Sequence, residues 1–304
     1  NLSYYTIISC AHLNMEGKKM YKLIKIASVF VLCFSLFYIE NANAESYLKR
    51  TVNERSSGIL EAQELVQKIN NAQLKLIKIS RINSSINGIG ILSNTKNKFY
   101  GTAFVIDDHT ILTNNHVVEE GFGTINKALY IPEKVKNLKF MPSRNARNIP
   151  YSFTIKDIKM IKGVDVAILH TNDKLTDKVK PLRLASEEYI ENMKFQSELI
   201  TYGYPAKEFL DRKYQNDPRY SMYETKGFYI LKTNSHDPQF YLKMIIRMGN
   251  SGSPILNKNG EVVGINAGGM NNTNAYTTIR AKSELAYAFS MTDYIRKEIL
   301  NNSY

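Results

Sequence analysis

Three short stretches carry side chains that could share one piece of chemistry. MGNSGSPI at 248–255 sets Ser251 between Gly249 and Gly252, just ahead of the apolar start of PILNKNGEVVGI. Flanking glycines let backbone approach backbone, which suits a serine exposed with its amide aimed at a substrate; the same composition also makes an ordinary polar turn. A serine hydroxyl is a poor nucleophile until an imidazole takes its proton. That imidazole in turn needs a carboxylate to fix its tautomer and stabilise its charge. After residue 44 the chain offers four histidines: His109, His116, His170 and His236. His109 in DDHT reads as a solvated turn residue, and His170 and His236 read as surface residues. His116 ends TILTNNHVV, where a strand delivers it to a loop followed by apolar packing. The acid is Asp165 in GVDVAILH, an ionisable group in a run otherwise fit for burial, which is costly unless partnered. Its alternative reading is an aspartate that closes the turn before the strand.

The elements around these residues are mostly strands. YGTAFVI, TILTNNHVV, YSFTIKDIKMI, VDVAILH, SELITYGYP, FYILKT, FYLKMIIR, PILN, EVVGINAG and AYAFSM are short runs rich in Val, Ile, Tyr, Phe and Thr, separated by Asn, Gly, Asp and Lys clusters. Many short strands with turn punctuation argue a sandwich or barrel rather than alternating β and α. In PILNKNGEVVGI, Asn259-Gly260 supplies the positive-φ pair of a tight hairpin turn, which places Ser251 on a loop entering a strand. Helical spacing of Leu60, Leu65, Ile69, Leu74 and Ile77 predicts a helix opened by Ser57. MTDYIRKEILNN predicts a closing helix with Tyr294, Ile295 and Ile299 inward. TNDKLTDKVKPLRLASEEYI, residues 171–190, is the best division between two β domains.

The chain has 304 residues, 43% hydrophobic and 22% charged, enough for one large or two small domains. From Met20, Lys22 and Lys25 form a positive n-region, Ile26 to Ile39 an apolar run and Ala42-Asn43-Ala44 a small-residue cleavage site. These are the three parts of a secretory signal peptide, and the run is shorter than the roughly 20 residues of a spanning helix. NMEGKKM before Met20 back-translates to a purine-rich stretch resembling a bacterial ribosome-binding site, so residues 1–19 read as untranslated. Both cysteines, Cys10 and Cys33, fall in the removed part, which excludes disulfides, thiol chemistry and cysteine-based metal sites from the mature protein. Residues 1–44 hold four of the lysines and two of the glutamates, so the formal charge falls from +12 to about +10. A basic surface suits polyanions or cell-wall polymers, but the charges are dispersed without a run of five, as on a solvated surface.

GTAFVIDDHTILTNNHVV, GVDVAILH and GNSGSPILNKNGEVVGI together resemble the three signature blocks of trypsin-like serine endopeptidases. Within these the chain is similar to secreted bacterial glutamyl endopeptidases and staphylococcal exfoliative toxins, in the serine block especially. ITYGYP at 200–205 fits that group too, and the resemblance covers roughly Tyr100 to Tyr294. It implies an all-β, trypsin-like fold of two six-stranded β-barrels with an N-terminal and a C-terminal helix. The active site would lie in the cleft between barrels, with His116 and Asp165 from the first and Ser251 from the second. The order His, Asp, Ser differs from Asp, His, Ser in subtilisin-type enzymes and Ser, Asp, His in α/β-hydrolases. The expected organisation is an upstream segment 1–19, a signal peptide 20–44, and a segment 45–85 that is either a permanent helical extension or a removable pro-segment. The first barrel follows at 86–180, then the second barrel with the C-terminal helix at 181–304.

The resemblance implies an oxyanion hole from the amides of Gly249 and Ser251, with a side chain at 249 obstructing the approach. Two departures stand out. Asn250 replaces the aspartate with which many digestive relatives hold a freshly cut N-terminus, so that activation switch is not expected. Ile246 and Asn266 stand where glutamate-preferring relatives carry a threonine and a histidine, so acidic specificity does not transfer. Lys243 and Arg247 are alternative sources of positive charge. With Ala267 and Gly268, Ile246 and Asn266 are expected to line a pocket for an uncharged residue. The expected function is a secreted, extracellular serine endopeptidase, exfoliative-toxin-like and acting in virulence. It would be monomeric, act on a protein or peptide substrate, and need no metal, cofactor, nucleic acid or membrane insertion. The alternatives are an idle binding protein on the same fold and a basic wall-binding module.

Overall fold

A computed structural model describes residues 58–120, 131–232, 239–269 and 283–303. The proposed upstream segment, the signal peptide, Ser57 and His236 lie outside the described residues.

The fold is mostly β, as expected, built on two antiparallel sheets. β1 (Lys75–Lys78) precedes the strands of the first sheet: β2 (Ile89–Asn94), β3 (Phe99–Val105), β4 (Thr110–Thr113), β5 (Leu138–Pro142), β6 (Phe153–Thr154), β7 (Asp157–Met160) and β8 (Ala167–His170). Their spatial order is β6-β5-β2-β3-β4-β8-β7, a curled sheet rather than a hydrogen-bonded ring. Its concave side is filled by Leu92, Val105, Ile111, Phe140 and Leu169. The second sheet comprises β9 (Glu198–Gly203), β10 (Tyr223–Lys232), β11 (Gln239–Lys243), β12 (Pro254–Leu256), β13 (Val262–Gly269) and β14 (Leu285–Ser290). Pairing of β10 with β9 closes these six strands into a barrel, and β1 adds to the outside edge of β10. Alternate residues of β10 are buried up to Gly227, as a strand with one face on a core requires.

Three local expectations need correction. The apolar series from Leu60 to Ile77 does not form one helix. Helix α1 occupies residues 58–65, two 3₁₀ turns follow, and the Asn70 side chain accepts the Ala72 amide at 2.9 Å, diverting the chain into β1. Ala62, Val66, Ile69 and Leu74 are buried, whereas Leu60 is 62% and Ile77 46% exposed. In the β12–β13 hairpin only Gly260 has positive φ, at +76°. Five residues, Asn257–Glu261, join the strands, and the Asn257 side chain accepts the Asn259 and Glu261 amides. Finally, helix α4 (Asp293–Asn301; α3 is Glu187–Glu191 and α2 is given below) buries Ile295 and Ile299 but leaves Tyr294 36% exposed.

Two buried basic side chains fasten the N-terminal segment and the C-terminal helix. Lys243, 2% exposed at the end of β11, donates its ammonium to the carbonyls of Val66 (2.9 Å) and Ile69. These are backbone acceptors at the end of the first 3₁₀ turn, where the Val66 carbonyl also accepts the Ile69 amide at 3.4 Å. Burial draws the Lys243 pKa below the ordinary lysine value, against the pull of Glu284. His170, expected at the surface, is buried on β8. Its Nδ1 meets Asp157 Oδ1 at 2.5 Å and its Nε2 meets the Asn302 carbonyl at 2.6 Å. The ring thus links a carboxylate of the neighbouring strand to the backbone at the end of α4. Lys159–Glu298 at 3.0 Å supports the same junction between the first sheet and α4.

Lys243→Met keeps the aliphatic stem and removes the donor shared by the Val66 and Ile69 carbonyls. The expected cost is about 1–3 kcal/mol in denaturant unfolding, with faster amide exchange confined to residues 58–69. Unchanged exchange there would show that Lys243 does not hold the segment down.

Candidate active site

Antiparallel pairing of β4 with β8 sets Thr113 opposite Ala167, so the residue three past one strand meets the residue two before the other. After β4, Asn114 caps a one-turn helix, α2 (Asn115–Val118), which carries His116. Asp165 Oδ2 lies 2.6 Å from His116 Nδ1, and its Oδ1 accepts the His116 amide at 3.0 Å. A carboxylate at Nδ1 favours the Nδ1–H tautomer, which leaves Nε2 as the base. Both side chains are partly exposed within buried surroundings. The sequence reading missed what aims Asp165. Asn114 Nδ2 donates to the Asp165 carbonyl and Asn115 Nδ2 to the Val164 carbonyl, both at 2.7 Å. The available signal was two adjacent amides in a stretch otherwise suited to burial.

The Ser251 loop reaches across from the second barrel and is gripped by β3. The Thr102 amide donates to the Ser251 carbonyl at 2.7 Å. Thr102 Oγ1 donates to the Gly249 carbonyl at 2.8 Å and accepts the Tyr204 amide at 3.2 Å. Gly252 has φ +82°, and a Cβ there would lie 2.1 Å from the Thr102 carbonyl oxygen and 2.2 Å from Thr113 Oγ1. Gly249, at φ +93°, is required for a reason other than the one expected. A Cβ there would meet the Tyr204 carbonyl oxygen at 2.2 Å, so the clash is with the fold itself. The Met248 carbonyl is engaged by the Ala206 amide at 2.7 Å, and the amides of Gly249 and Ser251 donate to no acceptor among the described residues. Two donors thus stand free beside a partly exposed serine. The Ser251 hydroxyl makes no hydrogen bond among the described residues, His116 included; such contacts commonly close only when substrate is bound. Asn250 is buried, and neither atom of its amide finds a partner there.

The four expected pocket residues separate. Asn266 is wholly buried and turns its Nδ2 to the Asn250 carbonyl at 2.8 Å, so it braces the serine loop instead of facing a pocket. Ile246 and Ala267 are buried, while Gly268 and Gly269 are increasingly open. Neither reserve cation is available. Lys243 holds the N-terminal segment, and Arg247 forms a two-pronged pair with Glu284 at 2.8 Å for each contact. Burial opposes the Arg247 charge, yet the hydrogen bonds and field of Glu284 hold its pKa above the ordinary value. Of the other histidines, His109 sits half-buried with Nδ1 against the Thr171 and Asp173 carbonyls, 3.2 and 3.1 Å away.

The family model described as Trypsin matches residues 83–287. Glutamyl endopeptidase of Staphylococcus aureus (strain MW2) is 29% identical over 181 residues, 57% of this chain and 48% of the relative. The same-named protein of strain NCTC 8325 / PS 47 matches equally, with 47% of its length covered. The chain therefore spans about half the length of these curated relatives. A solved Glu endopeptidase in complex with MPD superposes with a TM-score of 0.57 at 20% identity, covering 74% of this chain and 95% of that one, a likeness of fold.

Thr102→Val is isosteric but deletes the hydroxyl shared by Gly249 and Tyr204. The expected loss is about 1–3 kcal/mol of stability, measured by chemical denaturation. A variant as stable as the wild type would show that the serine loop is held in place without this hydroxyl.

Proposed function

The chain belongs to the trypsin family, and from that membership we propose that it is a serine endopeptidase working through His116, Asp165 and Ser251. The observation that carries the reading is the double engagement of His116 by Asp165, at both Nδ1 and the amide, beside a serine loop with two uncommitted N–H groups. Ser251 Oγ attacks the scissile carbonyl carbon while its proton passes to His116 Nε2, and Asp165 stabilises the resulting imidazolium. The new oxyanion accepts from the Gly249 and Ser251 amides, each such donor contributing about 3–4 kcal/mol of barrier reduction. Collapse breaks the C–N bond as His116 returns the proton to the leaving amine. Water then repeats the sequence on the acyl-enzyme, releasing the acid and restoring Ser251.

The Met248 carbonyl supports an oxyanion site that needs no trigger, because its bond to the Ala206 amide keeps it off those two donors. For specificity, the commitment of Lys243 and Arg247 to other partners favours an uncharged residue before the cleaved bond, although the named relatives are glutamyl endopeptidases. The signal-peptide pattern of residues 20–44 supports secretion, with a monomer acting outside the cell on host or environmental proteins in an exfoliative-toxin-like virulence role. Among the described residues no helix is long and apolar enough to cross a membrane.

A sulfonyl fluoride or organophosphonate is expected to label Ser251 stoichiometrically, and His116→Ala should abolish the labelling. Absence of labelling in correctly folded mature protein, and in its N-terminally trimmed form, would leave an idle binding protein. On cleavable peptides, Ser251→Ala and His116→Ala should each lower kcat by about 10⁴–10⁶-fold, and Asp165→Asn by about 10⁴-fold. In a peptide-library digest the wild type should cut after uncharged residues; reproducible cleavage after Glu would refute the pocket assignment.

A further inference from the structure

Beside Gly249, three side chains form a platform that the catalytic reading does not use. Tyr100 Cε2 lies 3.0 Å from where a Gly249 Cβ would stand, so its ring adjoins the glycine of the oxyanion site. Tyr220 meets Tyr100 edge-on, with centroids 5.2 Å apart. The Arg144 guanidinium lies over the Tyr220 ring at 4.0 Å. Three contacts thus lead from the oxyanion glycine to a cation.

The neighbouring charges make Arg144 distinctive. Lys243, Arg247 and Arg219 are committed, the last to Glu208. Arg144 has no carboxylate partner among the described residues. Its Nε donates to the Ala146 carbonyl at 3.3 Å, its Nη1 makes only a 3.5 Å contact with Met141 Sδ, and its Nη2 donates to nothing there. A guanidinium stacked on an aromatic face with its outer edge open is suited to gripping a carboxylate.

The platform is also held in a costly conformation. Ser143, Ala146 and Tyr220 all take left-handed backbone angles, with φ of 57°, 56° and 64°. Non-glycine residues persist there only when their surroundings fix them, and such strain gathers at functional sites. The fixing bonds are the Ala146 amide to the Tyr220 carbonyl at 2.9 Å and the Tyr204 hydroxyl to the Arg144 carbonyl at 2.7 Å.

We infer that Arg144, stacked on Tyr220 beside Tyr100, is the subsite for the leaving-group half of the substrate and selects an acidic side chain one to three residues after the cleaved bond. The inference rests on the proposed acylation of Ser251. With the acyl half placed toward Gly268 and Gly269, the departing half is placed across Gly249 and Tyr100, where Arg144 has no carboxylate partner among the described residues.

The test compares peptides identical before the cleaved bond and differing after it only in Asp or Glu against Asn or Gln. For the wild type, kcat/KM is expected to favour the acidic peptide by about tenfold or more at low salt. That ratio should shrink toward one in 1 M NaCl and in Arg144→Gln, while Arg144→Lys should restore part of it. A wild-type ratio near one, or a preference that survives both high salt and Arg144→Gln, would overturn the inference. The salt series needs no variant, so it decides the matter even if Arg144→Gln does not fold. Sulfonyl fluoride labelling of the same wild-type preparation separates the two claims. Labelled enzyme that shows no acidic preference refutes the subsite alone, whereas unlabelled enzyme refutes the catalytic reading beneath it.

Discussion

Thr102 on β3 fastens the serine loop of the closed barrel to the curled first sheet. Its amide holds the Ser251 carbonyl, and its hydroxyl holds the Gly249 carbonyl while receiving the Tyr204 amide. Its own carbonyl accepts Thr113 Oγ1 at 2.8 Å, three residues before His116. One buried residue thereby sets the spacing between the loop that carries Ser251 and the strand that leads into the His116 helix. The close approach leaves no volume for a Cβ at Gly252, and the neighbouring approach to Tyr204 leaves none at Gly249. These glycines follow from how tightly the two barrels meet.

Amide side chains carry much of the remaining positioning. Asn114 and Asn115 draw in the Asp165 loop through backbone carbonyls, and Asn266 braces Asn250 in the same way. A neutral amide can be buried for far less than a charge, and it donates along a defined direction. The Oδ1 atoms of Asn114, Asn115 and Asn266 nevertheless lack partners among the described residues, as do both amide atoms of Asn250. Beside Ser251 this chain places buried amides, which need no counter-charge.

The basic side chains divide by task. Lys243 caps backbone acceptors of the N-terminal segment, Arg247 pairs with Glu284, and His170 bridges Asp157 and the end of α4. Lys243 and His170 are buried and Arg247 is partly so, and each has acceptors close at hand. Arg144 differs because its stacking on Tyr220 leaves an outer edge open.

The amino-acid sequence was enough for the strand-rich fold and the closing helix, and it nominated His116, Asp165 and Ser251. Period-two apolar runs, Gly-Asn turns and an acid inside a buried stretch are local signals, each readable within a dozen residues. It could not tell that Leu74 and Ile77 leave the helix, since Asn70 competes for the backbone there, nor that His170 is buried between a strand and a helix far away in the chain. Tertiary structure alone decided that Asn266 faces the serine loop, that Lys243 and Arg247 are committed elsewhere, and that Thr102 joins the barrels. Each of these depends on register and side-chain direction across elements distant in sequence, and a strand's pattern shows which residues share a face without showing what that face meets.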